Sequence, residues 1–566
     1  MLVVLLLHCA DNCSMIRLDY KRPIDEQSSL IQLFVRLVGL LWLVLMVDSA
    51  LQWEHLCGGN GLLPARELAS QAFEAYGPWH VFRIPSLLWI SQSDGFAWAL
   101  FGLGALGGLM ALSDRLATLG LIFSWVVWLS FVNFGSDFFA YASDTFMLEL
   151  GFLAVFASWL RNAGVGRKIW IACMVFLNLR FWISFASVRM LYAGAEGLDV
   201  FFLDDFLDSQ AHPTPLAWHL SHAAEWVKDA ISLMVLVLQL VLPVFLMMPS
   251  LRWIPALGFA ILSIAWMLVG HEGILCFALL VSTLPLLLGT QPAAKMGAWL
   301  AKSERLSRYL RVDPQYQRMR SWPRKIGAGA LQFQFGMQCV QIALLFLPFG
   351  NLDLNFLNYT AYRPETLEWE SGSPLKSALL APLRLSSNLR LVNPYGFRKG
   401  SDIPVCFQLE IFQSDSAGSG HYFPLRFRQD FSALKGFEAP LSSRLARQVH
   451  FLSYKTPYSE SLCFHHLEGN KSCWTDKLLE AVWSGRARNN WFAAPAPLDF
   501  KPTAMRILMA QRKFSVPESK VKDGSWWETR HVSTAAFSHG TYWSGCHLDA
   551  GFHAPSMSSN ISLSAK

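Results

Sequence analysis

Nine apolar runs of about 18 to 22 residues crowd the chain before residue 350, and each is the length that crosses a bilayer. A hydrocarbon core of about 30 Å takes about 20 helical residues rising about 1.5 Å each. Core helices of soluble proteins rarely go five turns without a charge, because one face meets water. The fold class expected is therefore a polytopic α-helical membrane domain of about nine transmembrane helices, followed by a soluble β-rich, sandwich-like C-terminal domain. The runs are 30–50, 95–112, 116–134, 143–160, 170–190, 229–248, 254–270, 272–289 and 328–349. Only Ser113, Asp114 and Arg115 part the second from the third, which predicts a helical hairpin, and the seventh and eighth meet near Gly270–Gly273. Charged residues make up only 16% of the chain, which agrees.

Lys and Arg in short loops orient such a chain. With the N-terminus in the cytoplasm, segments 15–29, 113–115, 161–169, 249–253 and 290–327 hold 17 basic residues. The opposite loops, 51–94, 135–142 and 191–227, hold only Arg66 and Arg83. The asymmetry predicts a cytoplasmic lead over 1–29, a transmembrane domain over 30–349 with a basic cytoplasmic loop at 290–327, and a C-terminal domain beyond the membrane. The net charge of +6 thus faces anionic lipid headgroups. No RNP, zinc-finger or basic-zipper pattern accompanies it, so no nucleic-acid partner is expected. Met1–Ala10 is apolar but lacks a basic n-region, and reads poorly as a signal peptide.

From residue 350 the composition changes to that of a soluble domain, expected over 350–552, with a Ser-rich disordered tail over 553–566. Val405–Phe412 and Tyr422–Arg428 alternate apolar and polar residues around the Gly/Ser-rich Ser414–Gly420, a hairpin signature. Thr503–Phe514 reads as a further strand, and Ser442–Tyr454 and Trp474–Trp483 as helical. Cys406, Cys463, Cys473 and Cys546 lie here, and Cys463 with Cys473 is the candidate disulfide; the alternative is free buried thiols. Asn358, Asn470 and Asn560 stand in N-x-S/T sequons, which matter only in a eukaryotic host.

Catalytic signatures are sparse. The chain has no P-loop, no G-x-S-x-G elbow and no kinase set, and His271-Glu272 lacks the second His that a zincin helix needs to place two imidazoles on one face. His219, His222 and Glu225 share helical spacing but read better as the polar face of an interfacial helix than as metal ligands. No cofactor is expected. More informative are ionisable residues inside the apolar runs, because a charge at mid-bilayer costs about 2.5–3.5 kcal/mol on insertion scales and so faces the bundle interior with a partner. Asp144, Glu149, Arg180, Arg189 and His271 form the candidate polar cluster, and Glu149 is expected to pair with Arg180 or with Arg189. Two roles are open to it: an ion pair that fixes helix packing, or a substrate or proton site. Gly104 and Gly108, at G-x-x-x-G spacing, predict close helix contact, within the bundle or at an oligomer seam.

Seven segments in order resemble the lipase maturation factor family: Gly61–Pro64 (GLLP), Pro85–Trp89 (PSLLW), Trp128–Gly135 (WLSFVNFG), Asp144–Phe156 (DTFMLELGFLAVF), Pro213–Trp218 (PTPLAW), Asn393–Phe397 (NPYGF) and Gly524–Trp527 (GSWW). The resemblance implies a membrane protein that assists folding and assembly of secreted lipases without ATP, a chaperone-like role and not an enzyme. Its partners would be a secreted lipase or other exported client, and membrane lipids. In eukaryotic members the membrane is that of the endoplasmic reticulum, with the C-terminal domain in the lumen; a bacterial host would place the protein in the inner membrane with that domain in the periplasm. The chain departs from the family where Arg444-Leu445 is followed by Ala446–His450 in place of a Trp-rich stretch, and where His271-Glu272 stands for an Asn-Tyr pair. The family's membrane part is also distantly similar to the vitamin-K-dependent carboxylase group, which implies the alternative of an integral membrane modifying enzyme using the intramembrane polar residues.

Overall fold

The computed structural model describes residues 24–113, 115–139, 141–159, 164–191, 201–208, 214–270, 273–292, 295, 321–346, 382, 385–393, 395, 405–414, 420–425, 444, 477–478, 481–482, 504–514 and 527–538. The predictions for residues 296–320 of the basic loop at 290–327, for His271, Cys463 and Cys473, and for the sequons and the tail lie outside these. The chain divides into two compact units. One comprises Met1–Leu51, Tyr76–Leu203 and Ala224–Arg398; the other comprises Gln52–Ala75, Asp204–Ala223 and Lys399–Lys566.

The first unit is helical. Helix α1 (Ile24–Leu56) starts in it, and α2 (Ala65–Tyr76) reaches it only at its last residue. The hairpin α3 (Asp94–Met110) and α4 (Ala117–Phe134) follows, then α5 (Ala142–Trp159) and α6 (Gly164–Leu191). After these come α7 (Glu225–Phe245), α8 (Trp253–Val269), α9 (Leu275–Ser282) and α10 (Ser321–Phe346). Eight of the nine apolar runs thus lie mainly on one α-helix each. Four stretches, Ser29–Leu56, Ala117–Phe134, Gly166–Ala186 and Glu225–Phe245, are long and apolar enough to cross a membrane; Asp94–Met110, Trp253–Val269 and Leu275–Leu287 are shorter apolar helices. The protein is a multi-pass membrane protein with a helical membrane domain.

The eighth run departs from a continuous span. α9 stops at Ser282 and a 3-10 turn, Leu284–Leu287, takes over. Pro285 has no N–H for an α-helical bond and its ring crowds the preceding turn. The start of α3 is set by Ser93, whose side chain accepts the amide of Phe96 at 3.3 Å, with Asp94 in the first turn.

Small residues and large rings set the packing. A Cβ on Gly39 would lie 2.6 Å from the Ala111 Cβ, and one on Gly108 would lie 2.7 Å from the Gly39 carbonyl oxygen. Gly107 and Gly120 meet backbone to backbone in the same way, so α1, α3 and α4 approach at backbone distance. The G-x-x-x-G glycines are therefore used inside the unit, Gly104 against Met46 and Gly108 against Gly39. Trp42 meets Trp128 edge-on at 6.3 Å and Phe34 meets Trp170 at 5.8 Å, both arrangements that aromatic quadrupoles favour.

The second unit holds an antiparallel sheet of β1 (Val405–Ser414), β2 (Gly420–Leu425), β3 (Ala504–Phe514) and β4 (Trp527–Ser538), in the order β2-β1-β3-β4. The hairpin joins Leu409 to Leu425 and Phe412 to Tyr422 across the turn that Ser414–Gly420 predicts. Strand β4 was not anticipated, because Trp527–Ser538 has no clean apolar alternation; it pairs along the whole of β3, with a register shift at Met509/Ala510. Arg444 and the residues 477–478 and 481–482 are helical, within the two segments expected to be so. Lys477 forms an ion pair with Glu67 of α2, and the Arg444 amide donates to Gln52 Oε1 at 2.8 Å.

Candidate functional site

Glu149 sits at mid-length in α5 and Arg180 in α6; their side chains are 0% and 1% exposed. Two buried charges on neighbouring helices can persist only together, since each alone would forfeit its hydration without repayment. The structure joins them: Arg180 Nη2 donates to Glu149 Oε2 as an ion pair.

The other carboxylate oxygen turns to a distant part of the chain. Glu149 Oε1 accepts the Asn393 backbone amide and, at 3.2 Å, Asn393 Nδ2. The Asn393 amide group also donates to the Arg390 carbonyl at 2.9 Å. Two residues on, Tyr395 lays its ring 5.4 Å from the Arg180 guanidinium carbon, and 5.7 and 5.1 Å from the rings of Phe146 and Phe181. The guanidinium thus has a carboxylate on one side and an aromatic face on another.

Asn393 and Tyr395 reach this depth on a strap that begins as a helical turn over 385–388 and is irregular over 389–393, and its polar backbone needs partners there. Irregular backbone persists among membrane helices only where protein satisfies it. Gln334 of α10 donates to the Leu391 carbonyl at 3.1 Å, and Asn133 of α4 donates to the Asn388 carbonyl at 3.2 Å. Arg390, in the left-handed region at φ 52°, returns a bond from its Nε to Asn133 Oδ1 at 3.3 Å. Below the strap, Ser282 of α9 donates to Asn178 Oδ1 of α6 at 2.9 Å. The result is a buried polar knot that ties α4, α5, α6 and α10 to the strap.

Of the residues predicted from sequence, Glu149 and Arg180 come together. Asp144 lies at the start of α5, about 7.5 Å along the axis from Glu149, where its carboxylate accepts the Tyr141 amide at 3.2 Å. Arg189 lies in the last turn of α6, nine residues beyond Arg180, and its side chain is outside the description. Asn133, Gln334, Asn393 and Tyr395 were not singled out as site residues. Two signals mark three of them: Asn133 is the one amide side chain of its apolar run, and Asn393 and Tyr395 lie in the NPYGF motif; Gln334 is one of four glutamines in the ninth run and carries no such mark. Among the described residues no group of three or more His, Cys, Asp or Glu could hold a metal ion. What the knot can do is hold five segments in one arrangement. Glu149 has little accepting capacity to spare, whereas Arg180 Nε and Nη1, both buried, have no acceptor among the described residues.

Comparison with known proteins places this chemistry. Residues 30–290 match the family described as lipase maturation factor transmembrane domain. Human lipase maturation factor 2 is 26% identical over 294 residues, which cover 47% of this chain and 41% of that protein. The chicken (Gallus gallus) lipase maturation factor 2 is 25% identical over 292 residues, 48% and 40% of the two chains. Human lipase maturation factor 1 is 25% identical over 229 residues, 38% and 40% of the two chains. The similarity thus spans about two fifths of each relative. No solved structure matches the chain. All three relatives carry the names of maturation factors and none that of an enzyme. Over residues 30–290 the chain is similar to the lipase maturation factor family, in its transmembrane domain.

Proposed function

We propose that this protein is a membrane-bound maturation factor that assists folding and assembly of secreted lipases, without ATP and in the manner of a chaperone. The observation that carries this reading is the match of residues 30–290 to the lipase maturation factor transmembrane domain. Nine crossings from a cytoplasmic start place the region after residue 350 outside the cytoplasm, in the lumen of the endoplasmic reticulum of a eukaryote or the periplasm of a bacterium. The 17-to-two distribution of basic residues supports that topology. The sheet of β1 to β4 belongs in this reading to a sandwich-like domain that meets the client. Action without a nucleotide rests on binding partly folded client more tightly than native client, since only differential affinity shifts a population. The Glu149–Arg180–Asn393 knot is a packing lock for the membrane domain and not the site of a reaction.

The test is deletion of the gene in its host. The specific activity of a secreted lipase falls while its synthesis stays constant, and the wild-type gene restores it. Unchanged lipase activity in the deletion strain would overturn the proposal. A second reading, a membrane modifying enzyme of carboxylase type, draws on the two buried Arg180 nitrogens that lack acceptors among the described residues. It requires that Arg180→Lys, a substitution that keeps the charge, abolish function while expression and melting stay normal; the lock predicts that stability falls with function.

A further inference from the structure

Between α2 and α3 the segment Gly77–Ile90 turns four large apolar side chains outward, Val81 the least of them. Trp79, Phe82 and Ile90 are 68%, 72% and 74% exposed, while Leu88 of the same segment is fully buried. We propose that this segment is an interfacial anchor whose Trp79, Phe82 and Ile90 side chains sit in the headgroup layer of the adjacent lipid leaflet.

Position carries the inference. Ser86 Oγ donates to the Ser130 carbonyl at 3.2 Å, the Leu87 amide donates to Ser130 Oγ at 2.9 Å, and Asn133 Nδ2 donates to the Pro85 carbonyl at 3.0 Å. The Trp89 ring meets Phe134 edge-on at 4.8 Å. Ser130, Asn133 and Phe134 form the last turns of α4, and the segment leads straight to Ser93, the cap of α3. It is therefore fastened to the ends of two apolar helices of the membrane domain, the level at which aromatic belts meet the polar boundary of a bilayer.

Rigidity and charge agree. His80 Nδ1 and the Gly77 carbonyl oxygen are 2.6 Å apart across a turn in which Gly77 takes φ 52°, and Trp89 Nε1 donates to the Ile84 carbonyl at 2.7 Å. The Trp79 and Phe82 rings stand 6.0 Å apart, held ready and needing no ordering on contact. Residues 77–93 contain Arg83 and His80 and no acidic side chain, which suits phosphate-bearing headgroups. An amphipathic segment of this kind lies in the interface and does not cross it.

The test uses the full-length protein in bilayer nanodiscs of phosphatidylcholine and phosphatidylglycerol, with the photoreactive p-benzoylphenylalanine in place of Phe82 or, separately, Ile90. Irradiation is expected to add the mass of one phospholipid at both positions, as it does at Leu240 on the exposed face of α7, and not at Glu74 of α2. Absence of the lipid adduct at both positions, with the Leu240 control reacting, overturns the proposal. So does an adduct in host membranes that consists only of a secreted protein, which would make the patch a client surface. The measurement is independent of any role with lipases.

Discussion

Truncating Glu149 leaves the Arg180 charge buried at 1% exposure with no counter-ion, and strips the Asn393 amide and side chain of their acceptor. Breaking a buried ion pair from one side costs about 3–5 kcal/mol, and each orphaned hydrogen-bond donor adds roughly 1 kcal/mol or more. Glu149→Ala should therefore destabilise the membrane domain by about 4–6 kcal/mol, and Arg180→Met by about 3–5 kcal/mol. The informative variant is the pair Glu149→Gln with Arg180→Met. It removes both charges, fills the volume, and leaves a side-chain oxygen for Asn393. Its cost should be about 1–2 kcal/mol, so against Glu149→Gln alone and Arg180→Met alone, at about 3–5 kcal/mol each, the two sites should couple by roughly 4–9 kcal/mol, well above the scatter of independent mutations. Thermal unfolding of purified protein in detergent, followed by the loss of a monodisperse peak in size-exclusion chromatography, ranks the variants against wild type. At about 2–4 °C per kcal/mol for a domain of a few hundred residues, each single variant melts roughly 6–24 °C lower and the double variant within about 8 °C of wild type. Additive losses in the double variant, or single losses under about 1 kcal/mol, would refute the claim that these charges stabilise each other.

Four further outcomes follow from the same packing. Tyr395→Phe should melt within about 2 °C of wild type because it keeps the ring over Arg180, whereas Tyr395→Leu should lose about 2 kcal/mol in the same assay. Gly108→Leu should force α1 off α3, since even a Cβ there meets the Gly39 carbonyl at 2.7 Å, and yields of folded protein in a membrane extract should fall sharply. Lys477→Ala should cost under about 1 kcal/mol, and the wild-type advantage should shrink in high salt, because Glu67 is 46% exposed and the ion pair is screened; urea titration at two ionic strengths reads it. A reporter that folds only outside the cytoplasm, fused after residue 400, should be active, and cytoplasmic activity of a matched reporter would reverse the topology.

The membrane domain was legible in the sequence because its signal is local. A helix that crosses lipid must satisfy its own backbone, so each apolar run carries its structure within about 20 residues and needs no distant partner to be recognised. Val405–Phe412 and Tyr422–Arg428 were legible for a similar reason, since alternation and a Gly/Ser turn describe neighbours in the chain. Strand β4 was not: it owes its conformation to pairing with β3, and its own alternation is weak. Pro285 was visible in the eighth run, yet the length of the run outweighed it, and the helix breaks there.

By itself the sequence determined that the chain is a polytopic helical membrane protein, which residues are apolar enough to face lipid, that Glu149 requires a cation within reach, and, through its motifs, a resemblance to the lipase maturation factor family. Only the tertiary structure decided that this cation is Arg180, that the NPYGF strap returns through 244 residues of sequence to share the carboxylate, and that Gly39 and Gly108 meet. The physical reason is one of range. Transfer to lipid is a property of one segment and adds up along the chain, whereas pairing a buried charge is a property of two surfaces whose approach depends on every helix packed between them.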